Sequence, residues 1–176
     1  LFITDDLSAV PSGTGGDSTS TATPSQSAYT SHDTSQIEAE AYDKGGSGVA
    51  YQDADSTNNG GQYRDDGVDI ESSADDGDDN VAYVRDGEWL EYTVDLPAGT
   101  YDVRARVASP NSGTKLRALL DGELLGTFDV PDTGGWQNWQ TVTLGGVETT
   151  GGSVRRVGAV TGGGAGSGFN VNWTGF

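Results

Sequence analysis

From Leu90 to Leu96 the chain alternates with a period of two: Leu90, Tyr92, Val94 and Leu96 fall on one side, Trp89, Glu91, Thr93 and Asp95 on the other. That period predicts a half-buried strand with the aliphatic set inward. It leaves Trp89 and Glu91 outward, and an outward tryptophan asks for a reason. TYDVRARVA, Thr100–Ala108, repeats the pattern with Tyr101, Val103, Ala105 and Val107 inward. The turn PAGT between these strands predicts a hairpin. Asp121-Gly122 predicts another, joining Lys115–Leu120 to Glu123–Val130. Further strands are expected through Leu144, over Ser153–Thr161, and at FNVNWTGF. In that last strand Phe169, Val171 and Trp173 take the inward phase, Asn170 and Asn172 the outward one. IEAEAY, Ile37–Tyr42, predicts the first strand, with Glu38 and Glu40 on one face.

About eight to ten short strands and no long helical period make the expected fold class all-β, a β-sandwich whose first and last strands can pair. Residues 36–176 are expected to form this module. Residues 1–35, rich in Ser, Thr, Gly, Asp and Pro, are expected to be a disordered or extended linker, because they cannot bury enough surface to offset their ordering entropy. The single histidine, His32, lies there and reads as incidental. Residues 43–79 read as loops with one short strand near Val68–Glu71. The DDGDD run within them lacks the alternating ligands and closing glutamate of an EF-hand.

Composition narrows the chemistry. There is no cysteine among the 176 residues, and no His in the folded region, so thiolate sites, His/Cys zinc sites and the usual nucleophilic triads are excluded. No loop ends in GK[ST]. Carboxylate-pair glycosidase chemistry stays open, because acids are everywhere. Nine basic residues against 27 acidic give a net charge of −18, which would repel nucleic acid. The acid is spread along the whole chain, as expected of a surface that stays hydrated in high salt, and a halophilic source is the expectation. No apolar run is long enough to span a membrane. Leu1 in place of Met is expected of a fragment or processed chain.

What remains is a set of aromatics at strand ends or on outward faces: Tyr83, Trp89, Trp136 and Trp139, with Asn170 and Asn172 as neutral polar groups. A pyranose asks for such a set, since its C–H face stacks on a ring and its hydroxyls take directional hydrogen bonds. For Trp136 and Trp139, stacking on a ligand and packing between loops both remain open. Glu38 and Glu40 read either as a solvated acidic face or as hard oxygen ligands for Ca²⁺.

Four blocks in order then carry a resemblance. IEAEAY, NVAYVRDGEWLEYTVDLPAGTYDVRARVAS, LDGELLGTFDVPDTGGWQNWQTV and FNVNWTGF together resemble the family 6 carbohydrate-binding modules, from about Gln36 to Phe176. The insert GGQYRDDGVDIE is similar to modules attached to glycoside hydrolases of marine or β-glucan polysaccharides. The resemblance implies a jelly-roll β-sandwich with a structural Ca²⁺ and up to two sugar clefts. In the main cleft Tyr83 and Trp136, with Trp139 in reserve, would clamp a sugar ring. Asn170 would bond its hydroxyls, and Glu71 and Tyr51 would border it. Trp89, in a DGEW departure from the GDW-like motif, and Glu123 would form a second cleft. Glu38 and Glu40, a carbonyl near Arg64, and Asn172 in place of the usual aspartate would hold the calcium. The expected function is a non-catalytic, secreted, monomeric module that docks a parent glycoside hydrolase, upstream through the linker, on β-glucan, agar or xylan. The alternatives are an adhesion sandwich that has lost sugar binding, and a small glycosidase.

Overall fold

A computed structural model describes residues 25–161 and 168–176. The elements within them are β1 (Ile37–Glu38), a 3₁₀ turn (Ala39–Ala41), β2 (Tyr51–Gln52), β3 (Ile70–Ser72), β4 (Asp79–Val84), β5 (Trp89–Leu96), β6 (Gly99–Ala108), β7 (Thr114–Leu120), β8 (Glu123–Val130), β9 (Gln140–Thr149), β10 (Gly152–Thr161) and β11 (Phe169–Gly175). They form two antiparallel sheets. One runs β3-β4-β11-β6-β9, with β1 also paired to β11; the other runs β2-β5-β10-β7-β8. The first and last strands therefore do pair, Ile37 opposite Thr174. Leu90, Tyr92, Val94 and Leu96 from one sheet and Val103, Ala105 and Val107 from the other are buried between the layers, as their alternation predicts. The fold is the all-β sandwich expected.

Several local expectations are corrected. The PAGT turn does not close a hairpin. β5 pairs with β2 and β10, whereas β6 pairs with β11 and β9, so the chain crosses between sheets at this turn. Turn residues signal a reversal but not the partner. Asp121-Gly122 does close the β7–β8 hairpin, both residues at positive φ (47° and 84°), as a type I′ turn requires. The first strand stops after Glu38; the 3₁₀ turn that follows buries both Ala39 and Glu40 and ends the alternation. β11 carries a register shift between Val171 and Trp173. The extra residue, Asn172, advances the phase by one. Trp173 thus faces outward opposite Arg106, and Thr174 turns inward opposite Ala105.

The segment from residue 25 to residue 35, assigned to the linker by composition, lies against the sandwich. Ser27 and Lys44 exchange backbone hydrogen bonds, the Phe176 N–H donates to the Thr34 carbonyl, and the His32 ring meets Tyr92 edge-on. A Cβ on Gly175 would stand 2.2 Å from the Ser35 oxygen, so this approach depends on glycine. Residues 1–24 and most of the GGGAGSG loop lie outside the described residues.

Arg155 is fully buried. None of its three guanidinium nitrogens has a hydrogen-bond partner among the described residues, and the group rests 4.2 Å from the Phe176 ring centroid. Burial pushes its pKa down to about 10.

Candidate carbohydrate-binding site

The site begins with a defect in β4. Opposite β11, Val84 pairs with Phe169 and Val81 with Val171, so Ala82 and Tyr83 together face Asn170. This bulge re-aims a side chain that strict alternation would bury beside Val81. Tyr83 takes φ 53°, a left-handed conformation uncommon outside glycine, and leaves its ring 38% exposed. Trp136, in the loop before β9, is also 38% exposed.

Asn170 joins the two. Its Oδ1 accepts from the Tyr83 N–H at 3.2 Å, and its Nδ2 donates to the Trp136 carbonyl and to Glu71 Oε1, both at 2.9 Å. Asn170 is 1% exposed and both amide protons are engaged. Its place in the structure is between the ring-bearing segments rather than on the open surface. Glu71 Oε1 also accepts from Gln137 Nε2 at 2.8 Å, and the charge of Glu71 pushes the Tyr83 phenol above the usual tyrosine range. Gln137 is the second hub. Its Nε2 also reaches Asn80 Oδ1 at 3.0 Å, and its Oε1 accepts from Trp139 Nε1 at 3.2 Å and from the Ala74 N–H at 2.8 Å. The structure therefore brings together Tyr83, Trp136, Trp139, Glu71 and Asn170 from β3, β4, β11 and the loop before β9.

It does not bring in Tyr51. That ring is 6% exposed, lies edge-on to Tyr42, and directs its hydroxyl to the Asp66 carbonyl. Its strand β2 sits in the opposite sheet, out of reach of the cleft. Trp89 and Glu123 are likewise separated. Trp89 pairs with Gly158, Gly158 with Arg117, and Arg117 with Thr127. Glu123 thus lies three strands across, about 14 Å, and four residues along. The outward Trp89 ring is covered instead by the Arg156 guanidinium at 4.0 Å, which Glu91 holds at 2.7 Å. Gln137 and Asn80 were missed because an amide inside a Gly-rich or acidic stretch has no periodic signature.

The acidic group forms on the neighbouring side of β11. Glu38 Oε2, Glu40 Oε2 and Asn172 Oδ1 are all buried without a hydrogen-bond partner among the described residues. Asn172 Nδ2 donates to Asp75 and Asp76, which leaves its carbonyl oxygen free. Burial, then the charges of Glu38, Asp78 and Asp79, pushes Glu40 up to about 8; burial, then Asp76 and Asp78, raises Glu38. Three orphaned buried oxygens among acids are a donor set that fits a hard divalent cation. The Arg64 carbonyl is turned toward Asn58, which donates to it at 2.6 Å, and the Arg64 guanidinium is engaged by Asp66. The 73–79 loop supplies acids at this group that its weak EF-hand match did not suggest. Asp53, Asp55 and Asp69 also converge, but Asn59 and Arg85 hydrogen-bond into that corner.

The sequence matches the carbohydrate binding module (family 6) over residues 61–176. The chain belongs to this family. The C-terminal family 6 module of a laminarinase from Zobellia galactanivorans is 31% identical, with a TM-score of 0.60 over 79% of this chain and 94% of that one. A β-1,3-glucan-binding module from Bacillus halodurans is 35% identical, with a TM-score of 0.59 over 80% and 93%. A β-agarase from Microbulbifer thermotolerans is 42% identical over 67 residues, 37% of this chain and 16% of the agarase. The chain spans only a small part of the curated relatives it matches. Family 6 modules bind carbohydrate and do not cleave it, and this chain is such a non-catalytic module; the small-glycosidase reading falls.

Proposed function

We propose that this module holds a glycoside hydrolase on a polysaccharide by stacking a sugar ring on Tyr83 and Trp136. The observation that carries the reading is the pair of exposed rings whose backbones are hydrogen-bonded to one buried amide, Asn170. Glu71 and the Tyr83 hydroxyl are the polar groups placed to meet sugar hydroxyls. Asn170 serves as the positioning residue, which modifies the direct contact expected from the resemblance. Among β-glucan, agar and xylan we favour β-1,3-glucan, supported by the laminarinase module and the β-1,3-glucan-binding module. The protein works outside the cell, with an upstream catalytic domain tethered through the N-terminal linker, which raises that domain's effective concentration at the polymer. Glu38, Glu40 and Asn172, with the 73–79 loop, would hold Ca²⁺, which would neutralise the buried acids and stabilise the native state.

The test is affinity electrophoresis in gels containing laminarin, agarose or xylan, followed by calorimetry with the matching oligosaccharides. Retardation by laminarin is expected. Tyr83→Ala or Trp136→Ala should each weaken binding about tenfold or more, equivalent to ~1.4 kcal/mol. Wild-type affinity in both variants would remove the cleft.

A further inference from the structure

Among the described residues, four large hydrophobic side chains stand exposed: Tyr63, Tyr83, Leu124 and Trp136. The cleft accounts for Tyr83 and Trp136. Leu124 is an isolated aliphatic at a strand edge, and single exposed leucines need no explanation. Tyr63 is different. Its ring is 48% exposed, and its backbone takes φ 60°. An L-residue held there is strained, and such strain persists only where the surroundings over-determine it.

They do. Gln62 N–H donates to the Ile70 carbonyl at 3.1 Å, Arg64 N–H to the Gln62 carbonyl at 2.7 Å, and Asn58 Nδ2 to the Gln62 and Arg64 carbonyls at 2.9 and 2.6 Å. The Arg64 guanidinium stacks over Tyr42 at 3.7 Å and Tyr29 at 4.7 Å. The Tyr29 ring in turn lies 5.7 Å from the Tyr63 ring, tilted by 55°. The ring is therefore held along one side by Tyr29, while the loop around it, Gly61, Gln62, Arg64 and Asp65, presents an open surface. A Cβ on Gly61 would meet nothing within 4 Å, so the loop beside the ring is open to solvent.

We propose that Tyr63 is a further sugar-stacking platform, engaging a pyranose of the same polysaccharide that occupies the Tyr83–Trp136 cleft. The inference rests on the reading of that cleft as a sugar site. The chemistry matches it: an immobilised ring face with an amide, Gln62, and a carboxylate, Asp65, within one residue or two. Preorganisation by Arg64 and Tyr29 removes the entropy cost that an exposed loop tyrosine would otherwise incur on binding. A platform outside the cleft acts on long chains and leaves short ones unaffected, because only a polymer can meet both surfaces.

The experiment compares the full chain with Tyr63→Gly, Tyr63→Trp and Tyr83→Ala. Glycine removes the ring while relieving the positive φ, so thermal stability should hold or rise. Retardation by laminarin in gels reports polymer binding; calorimetry with a laminari-trisaccharide reports the cleft. Tyr63→Gly should weaken polymer retention about three- to tenfold, with trisaccharide affinity unchanged and Tyr63→Trp retained as wild type. Tyr83→Ala should lose the trisaccharide. Polymer retention equal to wild type in Tyr63→Gly overturns the platform and leaves the cleft intact. Trisaccharide binding unaffected by Tyr83→Ala overturns the cleft, and with it the platform as an accessory. A wild-type protein that laminarin does not retard overturns both.

Discussion

At the scale of single residues, position along the chain and role in the site come apart. Asn170 ties three segments of the cleft together, yet it is nearly inaccessible. Replacing it by alanine removes three hydrogen bonds and leaves Glu71 Oε1 with only the one from Gln137. Asn170→Ala should therefore cost about 1–3 kcal/mol in urea unfolding and weaken sugar binding as well, whereas Tyr83→Ala should weaken binding alone. Retained stability in Asn170→Ala would remove its positioning role. Arg155 is the opposite case, a buried cation that stacks on Phe176 but has no hydrogen-bond partner among the described residues. Replacing such a charge with a similar-sized apolar group is often stabilising, so Arg155→Met should raise the unfolding free energy by about 1–4 kcal/mol. A destabilised variant would show that the guanidinium has a counter-charge.

At the scale of elements, two irregularities shape the candidate sites. The bulge in β4 turns Tyr83 outward, and the bulge in β11 falls at Asn172, next to Trp173, which pairs with Glu38. Both lie where β11 meets a neighbour, so sugar cleft and acidic group share one central strand. The 73–79 loop is tied to that strand through Asn172, and to β6 through the Arg106–Asp75 ion pair at 2.6 Å. Its order should depend on a divalent cation. Adding EGTA should lower the melting temperature, and restoring Ca²⁺ should recover it. Glu40→Gln replaces a carboxyl that burial forces to take up a proton on folding with a neutral amide, so near neutral pH it should melt higher than wild type in EGTA and lose most of the Ca²⁺-dependent gain. A melting curve indifferent to EGTA and Ca²⁺ would dissolve the cation site.

At the scale of the whole molecule, net charge dominates. A charge of −18 on a small sandwich is self-repelling, and most of its acids face water. Raising NaCl from about 0.01 M to 1 M shortens the Debye length from roughly 30 to 3 Å. The melting temperature should rise across that range, and sugar affinity should change little, because a pyranose is neutral. Affinity that falls steeply with salt would mean that charge rather than ring stacking drives binding. The acid also makes a neutral polymer a better partner than an anionic one, which favours a glucan surface on electrostatic grounds.

The residues alone determined a great deal. Alternation in β5 and β6 specifies which face is buried, because the period of two is local and burial of one face enforces it. The Asp-Gly hairpin follows from a backbone preference at two positions. The four co-linear blocks were enough to indicate the family, which the match over residues 61–176 establishes. Only the tertiary structure decided the rest. Whether PAGT closes a hairpin or crosses between sheets depends on partners far away in sequence. Whether Tyr83 points out and Trp173 follows it depends on one inserted residue in each pairing, which leaves no trace in the local pattern. Residues 25–35 are ordered by contacts with Lys44, Tyr92 and Phe176, and composition cannot report contacts. Gln137 and Asn170 became hubs only when four distant segments met, because a hydrogen-bond network is a property of the assembled fold.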